Sequence, residues 1–219
     1  MPHLGFGPLA RYGAAAMADP SLSRSSSPPR REPSFARTSP AQLALFVTLG
    51  SLTMLFGASL VAYLVTRAQN VTWRTADLPP LPGGLWLSTL LLLGVSGGMY
   101  WAKSAVRRNA FVTLERALWL TLAFAALFLF AQVQNWRGMA AAILPEATKT
   151  LYAFSFYMLT VLHALHVLAG LVPLGLVLAR SRSKQYTSSR SEGVRLCAQY
   201  WDYLLVVWLV LLGTMYLTT

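Results

Sequence analysis

Five runs of apolar residues, at about 41–66, 84–102, 117–136, 151–179 and 200–217, leave this chain few ways to fold. At about 1.5 Å of rise per helical residue, each is long enough to cross a hydrocarbon layer of roughly 30 Å. Lipid offers no water to backbone amides and carbonyls, so each run has to satisfy its own hydrogen bonds as an α-helix. The chain therefore reads as all-α, an integral membrane protein whose residues 41–219 form a bundle of five transmembrane helices. Composition agrees: 55% of the 219 residues are hydrophobic and only 11% charged, where soluble domains carry roughly a quarter.

The net charge of +11 is spread in strips between the apolar runs, which excludes the single basic face of a nucleic-acid-binding protein. Residues 1–40 carry Arg11, Arg24, Arg30, Arg31 and Arg37 against Asp19 and Glu32, a balance of +3. The second connection carries Lys103, Arg107, Arg108 and Arg116 against Glu115, again +3, and the fourth carries Arg180, Arg182, Lys184, Arg190 and Arg195 against Glu192, +4. The first and third connections together reach only +2. Basic strips mark cytoplasmic segments, so the amino terminus is expected in the cytoplasm and the carboxyl terminus on the outer side. Trp73, Trp86, Trp101, Trp136, Tyr152, Tyr200 and Trp201 lie near span ends, as interfacial aromatic residues do.

Within residues 1–40, the Pro/Ser/Arg stretch around Ser23–Arg31 has no apolar periodicity and reads as a disordered basic tail. Its composition also fits a transit peptide, and Met17 is an alternative start. Pro79, Pro80 and Pro82 stiffen the connection between the first two spans, and Pro145 marks a turn before the fourth. Pro173, inside the fourth span, removes one backbone donor and should kink that helix unless a neighbour compensates. Cys197 is the only cysteine, so there is no intrachain disulfide; it reads as a small buried hydrophobe.

Polar side chains inside a span cost several kcal/mol unless paired, so each one needs an account. In the fourth span His163 and His166 share one face, with Thr160 one turn earlier. Haem or metal ligation would need further ligands, and the only other histidine is His3 in the tail. A proton relay is a second reading, and a structural, hydrogen-bonded pair is the preferred one. Gln132, Gln134 and Asn135 near the outer end of the third span read as interhelical glue or headgroup contacts. Asp202, beside the basic fourth connection, is expected to pair with Arg195 or with a lipid-facing base. No Gly-rich phosphate loop, nucleophile with a base, or pair of acids is present, so no catalytic residue is assigned.

The run from Phe156 to Val167, with Thr160, His163 and His166, followed by Gly170, resembles the cytochrome c oxidase subunit III family. Phe128–Gln132 closing on Trp136, and Tyr200-Trp201 with Val207-Trp208 and Tyr216, are similar to other helices of that family. Met54, Phe56, Ala62, Tyr63 and Arg67, then Thr89, Ser96, Trp101 and Ala102, extend the likeness in collinear order over 41–217. Departures are equally specific. Leu52 and Asn135 stand where the family usually has glutamates, Tyr100 and Asp202 where it has histidines, Leu205 where it has an aspartate, and Val161 and Ala164 where it has glycines. The lost carboxylates weaken a proton-relay role.

The resemblance implies a five-span subunit III that holds no haem, copper or other metal itself and stabilises the catalytic subunit of a proton-pumping terminal oxidase in aerobic respiration. Haem and copper would reside in partner subunits I and II, and phospholipid would be bound in a cleft between the first two spans and the other three. The expected address is the cell inner (plasma) membrane, ahead of the mitochondrial inner membrane. Arg67, Trp73 and Arg74 near the first connection are the candidate lipid contacts, and Thr160, His163, His166, Gln132 and Asn135 the candidate buried structural residues. The same spans would suit a quinol oxidase or a nitric oxide reductase accessory subunit. A stand-alone transporter, a reading from another class, would instead show inverted repeats and broken helices, and no repeat is visible.

Overall fold

A computed structural model describes residues 39–70, 80–142, 151–183, 186 and 191–218. The basic tail, Trp73, Arg74, Pro79 and Pro145 lie outside the described residues. Five helices are present: α1 (Pro40–Gln69), α2 (Gly84–Arg107), α3 (Phe111–Ala142), α4 (Leu151–Arg182) and α5 (Glu192–Thr218), and there is no strand among the described residues. All five are long and apolar enough to cross a membrane.

A helix covers each of the five apolar runs and extends past it. α5 begins eight residues earlier than expected and α3 six, because Glu192, Arg195, Glu115 and Arg116 extend the helices beyond the stretch that hydrocarbon would cover. Local chemistry sets the described ends. Ser39 caps α1: its hydroxyl accepts the Gln42 amide at 3.1 Å, the Gln42 side chain accepts the Ser39 amide at 3.4 Å, and Pro40 occupies the first turn where no amide is needed. α2 ends on Asn109 at φ 53°, the left-handed conformation asparagine tolerates, and the Ala110 and Asn109 amides return to the Ala105 and Val106 carbonyls. This three-residue turn makes α2 and α3 antiparallel neighbours. α4 continues as helix through Pro173.

α2, α3, α4 and α5 form a ring, each packed on the next and α5 returning to α2; α1 lies outside it, against α4 and α5. Contact is most extensive between α2 and α3, while α1 and α2 share no substantial surface. A cleft separating the first two spans from the other three, which the family resemblance implies, is therefore not the division observed: α2 belongs to the ring and α1 alone stands apart. Buried positions recur every three or four residues, as in Leu85, Ser88, Leu92, Val95, Met99 and Ala102 of α2. The opposite faces are apolar too, with Met54 79% and Leu217 89% exposed, as suits helices solvated by lipid.

α1 buries only Leu52, Phe56, Ser59 and Tyr63 among thirty residues. Polar contacts fasten it parallel to α5. The Ser39 hydroxyl meets the Glu192 carboxylate at one end, Thr53 Oγ1 lies 3.1 Å from the Tyr203 hydroxyl midway, and at the other end Tyr63 bonds Thr218 Oγ1 at 2.6 Å.

Candidate functional site

The polar side chains of the spans gather mainly in the interior of the four-helix ring. Ser88 and Thr89 are consecutive on α2, one turn after its start, and face α3 and α5. Ser88 Oγ donates to Gln132 Oε1 at 2.9 Å, and Asn135 Nδ2 donates to the same oxygen at 3.0 Å and to Ser88 Oγ at 3.2 Å. Gln132 and Asn135 lie one turn apart on α3, so both reach the same neighbour, whereas Gln134 between them faces outward. Gly84 leaves room for this amide: an added Cβ would collide with the Asn135 amide oxygen and displace that side chain.

A second set of bonds ties α5 to α2 and α3 to α4. Trp208 Nε1 donates to Thr89 Oγ1 at 3.0 Å, and Trp136 Nε1 donates to Thr160 Oγ1 at 3.0 Å. Thr160 passes its own proton to the Phe156 carbonyl at 2.7 Å, and the Tyr157 hydroxyl bonds the Trp136 carbonyl at 3.0 Å. Thr160, Gln132 and Asn135 thus act as interhelical connectors.

The two histidines diverge. Three residues advance a helix by about 300°, leaving their directions roughly 60° apart. His163 points into the ring with no exposed surface, amid Trp208 at 5.0 Å, Phe128 at 5.8 Å and Phe56 at 6.2 Å between ring centres. Neither of its nitrogens has a hydrogen-bond partner among the described residues. His166 is half-buried, keeps Nδ1 2.7 Å from the Leu162 carbonyl, and packs tilted against Phe56 at 5.0 Å between ring centres. The hydrogen-bonded pair expected from the sequence is therefore not formed; the two rings serve different surroundings. Among the described residues no three His, Cys, Asp or Glu side chains come together in a way that could hold a metal ion.

At the end of the bundle where α1 and α5 finish, Arg67 Nε donates to the Thr218 carbonyl at 2.6 Å. This candidate lipid contact is half-buried and closes α1 on α5. At the opposite end Asp202 meets a base of a neighbouring helix and not Arg195. It accepts the Ser96 hydroxyl at 2.8 Å and lies 3.7 Å from Lys103 Nζ, because α2 packs beside α5 there, whereas Arg195 lies about 10 Å away along its own helix. Arg182 pairs with Glu115 at 3.0 Å and covers the Trp119 ring.

Ser88 and Trp208 are members of the interior network that sequence reasoning left without a role, although the adjacent hydroxyls of Ser88 and Thr89 inside an apolar run were a visible signal. Tyr186, between α4 and α5, lies outside that network. It is buried against Gly193, where a Cβ would meet its hydroxyl at 2.6 Å, and burial pushes the pKa of its phenol above the usual value.

An apolar exterior around a ring of helices cross-linked by side-chain hydrogen bonds defines a polytopic α-helical membrane protein. Residues 41–219 match the family described as cytochrome c oxidase subunit III, and the chain belongs to that family. It is 27% identical over 178 residues to a cytochrome c oxidase subunit 3 of Thermostichus vulcanus, covering 81% of this chain and 87% of that one. A cytochrome c oxidase subunit 3 of Synechocystis is 32% identical over 161 residues, 71% of this chain and 66% of the relative. A probable cytochrome c oxidase subunit 3 of Nocardia farcinica is 26% identical over 193 residues, 85% and 92% of the two chains.

Proposed function

We propose that the chain is a non-catalytic subunit III of a proton-pumping haem-copper terminal oxidase, a cytochrome c oxidase, in aerobic respiratory electron transport. It braces the catalytic subunit, carries no redox centre, and leaves haem and copper to subunits I and II. The observation that carries this reading is the family match over the whole five-helix bundle. The interior chemistry supports it: the polar groups of the ring are hydroxyls, amides, indoles and one histidine surrounded by aromatic rings, a set suited to locking helices together. Phospholipid completes the proposal, with Arg67 at the headgroup level of the end where α1 and α5 finish, and with Trp73 and Arg74, which follow it closely in sequence, as further candidate contacts. The basic ends of α2 and α4 lie in the cytoplasm, and the membrane is the cell inner membrane.

Affinity purification of the tagged full chain from native membranes in mild detergent tests this. The expected eluate contains a haem-copper catalytic subunit in equal proportion, with its haem absorbance. A homogeneous eluate of this chain alone, colourless or with haem of its own lost in His163→Ala, would overturn the reading.

A further inference from the structure

The C-terminal end of α2 presents a polar, basic stripe on one face. Tyr100, Lys103, Ser104 and Arg107 recur at i, i+3, i+4 and i+7, the spacing of one helix face, and with Arg108 they line a cavity of about 290 Å³. Its lining is a phenol, an ammonium, a hydroxyl and two guanidinium groups, so it offers donors throughout. Little offsets the charge. Asp202 stands 3.7 Å from Lys103 at the edge, Glu115 is engaged by Arg182, and neither Arg107 nor Arg108 has an ion-pair partner among the described residues. Tyr100, itself part of the lining, and the adjacent Trp101 are 72% and 43% exposed, as aromatic rings are where a helix meets lipid headgroups. A helix C-terminus tolerates cations, but that alone does not account for a concave donor site bordered by exposed rings.

We propose that this cavity binds the phosphate of an anionic phospholipid in the leaflet at that end of the bundle, with Arg107 and Arg108 holding the phosphate and Tyr100 lying along the upper acyl chain. Planar guanidinium groups match phosphate oxygens with paired donors, and basic pockets beside membrane helices select anionic headgroups in this way. The site is separate from the proposed lipid contact at Arg67, which lies at the other end of the bundle. It rests on the membrane-spanning fold and not on the assignment to an oxidase, so either can fail without the other.

The test uses the full chain in nonionic detergent, native mass spectrometry, and added phosphatidylglycerol or phosphatidylcholine. Phosphatidylglycerol is expected to be retained in preference to phosphatidylcholine, and Arg107→Gln with Arg108→Gln to weaken its binding roughly thirtyfold, the effect of two cations near an anionic lipid. Both arginines are exposed, so helix content by circular dichroism should not change. Arg116→Gln with Arg195→Gln removes the same charge from exposed positions at the same end and should leave the preference intact. Equal retention of the two lipids, or equal loss in both double variants, would overturn the proposal. So would displacement of phosphatidylglycerol by millimolar inorganic phosphate, which would identify a site for free anions.

Discussion

Gln132 holds the centre of the interior network, since one amide oxygen takes donors from both Ser88 and Asn135. Gln132→Leu keeps the approximate volume and removes the acceptor that the two donors share. Interhelical hydrogen bonds in membranes contribute from about 0.6 to about 1.7 kcal/mol, so the loss should be about 1–2 kcal/mol. In a chain of this size that lowers Tm by about 2–8 °C, readable by differential scanning fluorimetry in detergent. His163 makes the opposite prediction. Its nitrogens have no partner to lose among the described residues, so His163→Leu should change stability by less than about 1.5 kcal/mol and leave oxygen consumption of the assembled complex unchanged. A fall in turnover at unchanged stability would show that the imidazole carries protons or a ligand. The residue types at both positions were visible in the sequence, but their roles were not. Gln132 finds Ser88 forty-four positions away, and only the packing of α2 on α3 brings them together.

Among the elements, α1 differs most from its neighbours. It touches the ring through four buried side chains and a few hydrogen bonds along its length, and lipid supplies no hydrophobic drive to hold it there. Phe56 packs against both histidine rings, so Phe56→Ala should cost about 1–3 kcal/mol and speed hydrogen exchange in α1 ahead of α2 and α3. Uniform acceleration across all five helices would contradict this independence. Close contact governs the α2–α3 pair instead. A Cβ at Gly98 would strike Thr121 Oγ1, so Gly98→Leu should push the two helices apart and cost more than Gly97→Leu, where the neighbouring space is open. The centres of the helices were legible because hydrophobic run length and helix rise are related by simple arithmetic. The ends were not: Ser39, Glu192 and Arg107 lie where a helix leaves the apolar layer, and capping and dipole effects decide there.

At the scale of the whole molecule, the alternation of basic strips predicts one orientation. Reporter fusions should place the α2–α3 turn in the cytoplasm and the end of α5 outside, and the reverse result would undo the charge argument. The fold class and the family were readable from the apolar runs and from Phe156–Val167. The ring of four with α1 beside it was not, because helix neighbours in lipid are chosen by small residues and shape, as Gly84 against Asn135 illustrates.

The central claim is that this bundle braces an oxidase without holding any of its redox centres. The most direct measurement is the haem and copper content, per catalytic subunit, of the complex purified from cells lacking this chain, together with the time course of its oxygen consumption. The account predicts unchanged haem and copper and activity that decays sooner during turnover. Loss of a haem or copper equivalent along with the chain would contradict it.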